Sequence, residues 1–154
     1  MPRRMIVTAT GDALISRRLP DYQDEPFRRL VELIRSANVA FTNMEMVLSH
    51  YRGSPVVESG GMNLSAESGV AADLQRIGFN LTAFANNHTL NYGEEGCLAT
   101  LRALEELGFA CAGAGRHLSE ARAPAYLETP AGRVGLVACA STFAPKPAGR
   151  ATNR

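Results

Sequence analysis

The sequence predicts an α/β domain built on a mainly parallel sheet, with an antiparallel hairpin at its C-terminal end. Three observations carry that prediction. Short β-prone runs alternate with segments of helical period, the order that crossover helices between parallel strands require. Glycines stand just past the helical segments, at Gly78 and Gly108. The last two β-prone runs are separated by Thr129-Pro130-Ala131-Gly132 alone, too short for a crossover and suited to a hairpin.

The elements follow in order. Residues 5–10 form a first strand, ended by Gly11-Asp12. From about Pro26 a helix places Phe27, Leu30, Val31 and Ile34 on one face, with Pro26 in its first turn. Residues 39–42 are the second strand. A Gly/Ser/Pro-rich loop at 51–61 leads to a helix over 65–77, with Ser65 as N-cap and Gly78 as stop. Residues 79–85 are the third strand. A helix over 94–107 carries two acids in its first turn. Residues 109–112 form the fourth strand, cut off by Gly113-Ala114-Gly115. Strands at 125–128 and 133–140 complete the hairpin, and 144–154 reads as a loop-like tail after a domain at 1–143.

Composition narrows the function classes. With 45 % hydrophobic and 20 % charged residues in 154, the chain has the makings of an ordinary core and is a poor fit to disorder. Sixteen basic against fifteen acidic residues leave a net charge of +1, so no global footprint for nucleic acid exists. Cys97, Cys111 and Cys139 are odd in number and lack CxxC spacing, which predicts small apolar core residues rather than disulfides or a zinc site. No apolar run approaches a membrane span or a signal-peptide core, and the expected location is cytoplasmic.

Function is sought at the strand exits, because ligands of open α/β sheets bind beyond the carboxyl ends of the strands. Asp12 follows the first strand, Asn43-Met44-Glu45 the second and Asn86-Asn87-His88 the third. Carboxylate, amide oxygen and imidazole at one sheet edge are the donors that hold one or two divalent cations. Each has a plainer reading as well: Asp12 as a turn former, Glu45 as a solvated charge at a helix start. His50 and His117 read as surface residues, and Gly113-Ala114-Gly115 as turn chemistry.

These residues resemble the CapA family of capsule-synthesis and poly-gamma-glutamate biosynthesis proteins. The resemblance rests on Gly11-Asp12, Asn43-Met44-Glu45 and the block from Asn86-Asn87-His88 to Asn91-Tyr92-Gly93. Gly96, Thr100-Leu101, Leu104, Gly108, Gly113-Ala114-Gly115, Glu120-Ala121 and Pro124 extend it downstream. It implies a part of a metallophosphatase-like α/β/β/α sandwich of the calcineurin-like superfamily. It further implies Asp12, Glu45 and Asn87 as ligands of divalent Mn, Mg or Zn, and His88 as the group that contacts phosphate or protonates a leaving group. Asn43 and Asn86 then fall in the substrate-binding region, and the substrate is phosphate-containing or polyanionic. Asn91 stands beside His88 where the family usually has an acid; an amide can orient the ring but supplies no charge.

The superfamily's remaining ligands are histidines of a second half, so the chain reads as an N-terminal portion. One sheet face is then expected to expose apolar surface and to favour self-association. Two functional readings follow: metal-dependent phosphoester hydrolysis, or a non-catalytic accessory or binding module in polymer synthesis. An inactive fragment is the third.

Overall fold

The computed structural model describes residues 4–21, 23–50, 52–55 and 62–141. Most of the 51–61 loop and the whole 144–154 tail lie outside the described residues. The element order is β1 (Val7–Ala13), α1 (Glu25–Arg35), β2 (Val39–Met44), α2 (Gly69–Ile77), β3 (Leu81–Ala83), α3 (Gly93–Glu106), β4 (Ala110–Ala112), α4 (Leu118–Ala121), β5 (Ala125–Thr129) and β6 (Gly132–Leu136). The four strands β1-β2-β3-β4 pair in parallel in that order, and β5 and β6 form a separate antiparallel pair. The α/β class and the hairpin are as the sequence predicts.

Strand order fixes where the core sits. Right-handed crossovers that always step to the next strand place their helices on one face of the sheet. The main apolar cluster agrees: Ala13, Ala40 and Met44 from the strands pack with Ile34, Val70, Leu74, Ile77, Cys97 and Leu104 from α1, α2 and α3. Alternate residues of β2 point the other way. Along that face, Val39, Leu81 and Ala112 are buried, whereas Val7 at the β1 edge is 56 % exposed. The hairpin adjoins β4. A Cβ on Gly132 would lie against Met5, and one on Gly113 would lie 3.0 Å from Ala138, so the hairpin runs from the end of β4 toward the start of β1. Every residue of β5 and β6 retains exposure. The middle of that sheet face is buried, so the apolar exposure expected of it is confined to Val7 at the β1 edge; Tyr126 on β5 and Val137 just past β6 are exposed on the hairpin.

Local chemistry accounts for the element ends, including four departures from expectation. Asp24 caps α1, accepting from the Phe27 N–H at 3.2 Å. Phe27, Val31 and Ile34 face inward, but Leu30 is 49 % exposed, so the buried stripe is narrower than its periodicity suggests. Ser65 is not an N-cap. The Val47 N–H donates to the Leu64 carbonyl and the Ala66 N–H to the Val47 carbonyl, which holds 64–66 extended and delays α2 to Gly69. The Ser65 hydroxyl instead meets that of Ser49 at 2.8 Å. Gly78 ends α2 at φ 121°, where a Cβ would press on Arg35. Cys97 is buried and Cys111 half-buried as expected, but Cys139 is exposed. Burial raises the Cys97 thiol to about 11 and the Cys111 thiol to about 12, so both are inert. The last departure is β1, which runs on through Gly11 and Asp12. Among the described residues, no helix is long and apolar enough to cross a membrane.

Candidate functional site

The extension of β1 contains a bulge that decides where Asp12 points. Ala9 lies opposite Phe41 and Asp12 opposite Asn43, so three steps on β1 match two on β2. In unbroken register Gly11 would face Asn43, and Asp12 would turn toward the helix-covered core. The extra residue re-aims it to the same side as Asn43. The Thr42 hydroxyl holds the bulge by donating to the Gly11 carbonyl at 2.9 Å, and the Thr10 hydroxyl donates to the Phe41 carbonyl at 3.2 Å. Neither threonine was singled out from sequence, because a bulge becomes visible only when two strands are paired.

From Asp12 a row of side chains crosses the strand ends. The Asn43 amide nitrogen donates to Asp12 Oδ1 at 2.9 Å and, by a very short bond, to Glu45 Oε2. Asn43 Oδ1 accepts from the Asn86 amide at 3.3 Å, and the same amide donates to the Met44 carbonyl at 2.8 Å. Asn86 Oδ1 accepts from the His88 N–H at 2.9 Å, closing a turn. Thr89 supports that turn, its hydroxyl accepting from the Asn86 N–H and donating to the Phe84 carbonyl. Strands β1 and β2 and the exit of β3 thereby bring Asp12, Asn43, Glu45, Asn86 and His88 together. Gly113, at φ 107°, lets the β4 exit pass against Ala85, where a Cβ would come within 2.5 Å.

His88 is oriented by Asn91. Asn91 Oδ1 accepts from the Leu64 backbone N–H at 3.0 Å and lies 2.7 Å from His88 Nδ1. A backbone N–H can only donate, so the amide oxygen is the atom that faces the ring. Nδ1 therefore carries a proton, and Nε2 is directed at Glu45 Oε1, 3.8 Å away. Asn91 is buried. The partner from Leu64 had no sequence signal, since it arrives from a segment 27 residues upstream.

The site's electrostatics centre on Glu45. Burial pushes its pKa above the ordinary carboxylate value, and the negative charge of Asp12 adds to the effect; His88 and the Asn43 hydrogen bond oppose it. Asp12 is exposed, and Asn87 is exposed with no hydrogen bond to another described residue. Two oxygen-donor acids, an open amide and an imidazole nitrogen suit a hard or borderline divalent cation. Yet no group of three His, Cys, Asp or Glu residues close enough to hold a metal forms among the described residues. The donor chemistry would suit a metal, and the described residues alone do not complete a ligand set. His50 and His117 are exposed, as expected. His50 Nε2 meets the Ser68 hydroxyl at 2.7 Å, and His117 Nδ1 accepts from the Glu120 N–H at the start of α4.

Over residues 6–154 the chain matches the family described as Bacterial capsule synthesis protein PGA_cap. Two curated proteins of Sinorhizobium fredii, described as Uncharacterized protein y4sH and Uncharacterized protein y4uA, are each 40 % identical over 156 residues. Each alignment covers 96 % of this chain and 34 % of the relative. Capsule biosynthesis protein CapA of Bacillus anthracis is 23 % identical over 146 residues, covering 91 % of this chain and 36 % of its own length. The chain spans about a third of the length of the curated relatives it matches.

Proposed function

The chain belongs to the bacterial capsule synthesis protein family PGA_cap, and from that premise we propose that its strand-end site is part of a divalent-metal site acting on a phosphate-containing or polyanionic substrate of polymer synthesis, with phosphoester hydrolysis as the reaction. One observation carries this reading. Asp12 and Glu45, two acids to which no arginine or lysine among the described residues is bonded, are held side by side on one amide, next to an imidazole whose Nε2 faces Glu45. Negative charge gathered without a cation is the arrangement a bound cation relieves.

In this reading Asp12, Glu45 and Asn87 hold the ion, whose identity among Mn, Mg and Zn is open. Such an ion supplies Lewis acidity and charge neutralisation toward a phosphoryl oxygen. His88 presents Nε2 to a phosphate oxygen or a leaving group, held in place by the Asn91 oxygen on Nδ1. Because Asn91 is an amide, it orients the ring and supplies no charge of its own. Further ligands come from outside the described residues.

The same Asn91 favours a second reading, in which the site binds polymer or precursor without turning it over. Calorimetric titration with Mn²⁺ and hydrolysis of a chromogenic phosphodiester separate the two. The hydrolytic reading expects micromolar Mn²⁺ binding that Asp12→Ala abolishes, and turnover that His88→Ala lowers by roughly 10²-fold or more. Metal binding without turnover supports the second reading, and no binding at millimolar Mn²⁺ sinks the metal site itself.

A further inference from the structure

The hydrogen-bond valences of the site divide its residues into two sets. A primary amide has two N–H donors and one oxygen with two lone pairs. The Asn43 nitrogen donates to Asp12 Oδ1 at 2.9 Å and to Glu45 Oε2, so both its hydrogens are committed. Its oxygen accepts from Asn86. The Asn86 nitrogen is likewise committed to Asn43 Oδ1 and the Met44 carbonyl, and its oxygen accepts from the His88 N–H. Neither amide has a donor left for a substrate oxyanion. The groups that keep open valences are the second oxygens of Asp12 and Glu45, the Asn87 side chain and His88 Nε2.

We infer that Asn43 is a positioning residue, an amide bridge that sets the separation of the Asp12 and Glu45 carboxylates, with Asn86 locking the bridge in orientation. The physical basis is direct. Two carboxylates side by side repel, and each would rotate away if nothing lay between them. A single nitrogen with two hydrogens in one plane aims one oxygen of each acid at itself and leaves the second oxygen of each uncommitted, that of Glu45 facing His88 Nε2. Asp12 is on β1 and Glu45 just past the end of β2, so strand pairing alone leaves their side chains free to turn. Asn43 itself is fixed on β2 between Thr42, buried on the helix-covered face, and Met44, buried in the core. Its lock comes from Asn86, whose amide is anchored on a backbone carbonyl. An aspartate at position 43 could supply neither hydrogen and would add a third negative charge. The role goes beyond the proposed metal site and rests on it only for the second measurement below.

Two measurements on the whole chain test it. In metal-free protein, the two side-chain amide protons of Asn43 are expected to give separate NMR resonances, both displaced from those of a solvent-exposed amide. Asp12→Ala should move one toward the solvent-exposed position, and Glu45→Ala the other. If either substitution leaves both resonances in place, the bridge does not exist. The second measurement is Mn²⁺ calorimetry with Asn43→Ala, where the affinity should fall by about tenfold or more while the urea midpoint stays close to that of the unsubstituted chain. Unchanged Mn²⁺ affinity overturns the positioning role. If the unsubstituted chain binds no Mn²⁺, the proposed metal site fails, and the amide resonances alone decide the bridge. That first measurement uses the exposed Asp12 and the edge residue Glu45, and so does not depend on an Asn43 variant folding.

Discussion

Two carboxylates are buried among the described residues, and they are treated in opposite ways. Asp73 on α2 is 2 % exposed and Glu45 after β2 is 9 % exposed. Asp73 receives the Arg18 guanidinium through Nε at 2.7 Å and Nη2 at 3.0 Å, the Leu19 N–H at 2.8 Å, and Arg76 at 3.7 Å. The Arg18 hydrogen bond is the largest influence and holds its pKa below the ordinary value, outweighing burial. Glu45 receives one amide hydrogen bond and has Asp12 and, at 3.8 Å, the His88 imidazole as neighbours, and burial, with Asp12, holds its pKa up. Burial of an acid is therefore silent about function. What distinguishes the two is the partner that the described residues supply: at Asp73 a guanidinium hydrogen-bonded to it, at Glu45 a second acid and an imidazole 3.8 Å away.

The largest effect expected from breaking this contrast is at Asp73. Its cluster ties residues 18–21 to α2, since Arg76 also reaches Asp21 and the Leu19 carbonyl. Asp73→Ala removes charge-assisted bonds and leaves the Leu19 N–H without its acceptor. The expected loss is about 2 kcal/mol, seen as a lower urea midpoint at unchanged slope. A loss below about 0.5 kcal/mol would show that the half-exposed Arg18 leaves the pair with little net value.

The next effect is in pH dependence, where the two acids act with opposite sign. The folded-state pKa of Asp73 lies below its ordinary 3.8, so its contribution is complete above that value and is lost as pH falls through the depressed one. The folded-state pKa of Glu45 lies above its ordinary 4.5. The folded state then takes up this proton before the unfolded state does, and the resulting stabilisation is complete below 4.5 and lost as pH rises through the raised value. Urea midpoints measured between pH 7 and pH 3 should differ from those of Glu45→Gln mainly in the upper part of that range. They should exceed those of Asp73→Asn throughout the range above 3.8, with the gap closing only at the lower end as Asp73 takes up its proton. Parallel curves for the chain and both variants would mean that neither acid is perturbed as described.

The same contrast marks how far the sequence could be read. Helical period was enough for α1, α2 and α3, because an apolar stripe repeats locally. The polar strand exits were legible too, since Asp12, Asn43, Glu45, Asn86 and His88 each follow an apolar run. What was not legible depends on partners distant in sequence. The bulge that turns Asp12 toward Asn43 exists only in the pairing of β1 with β2. Ser65 has the chemistry of a cap, yet Val47 draws its segment into a bridge before α2 can start. Asn43 and Asn86 looked like open polar groups. Their amides are spent on near neighbours, Glu45 and the His88 N–H, and also on each other, on Asp12 and on the Met44 carbonyl, 31 to 43 residues away, and no local pattern reports those distant partners.

The smallest effect sharpens the contrast most. Glu45→Gln keeps the shape and removes the charge, so the repulsion with Asp12 disappears while an oxygen remains for the Asn43 amide. At neutral pH, without added metal, the variant should be more stable than the unsubstituted chain by less than about 1 kcal/mol, a substitution gaining stability because it removes a buried charge beside Asp12. With millimolar Mn²⁺ the order should reverse. A ligand that binds only the folded state stabilises in proportion to RT ln(1 + [L]/Kd), and the glutamine variant lacks a ligating carboxylate. Thermal melts with and without Mn²⁺ read both signs in one series. A glutamine variant less stable than the unsubstituted chain in the absence of metal would mean that Glu45 is paired as well as Asp73 is. The difference between the two acids would then be one of degree.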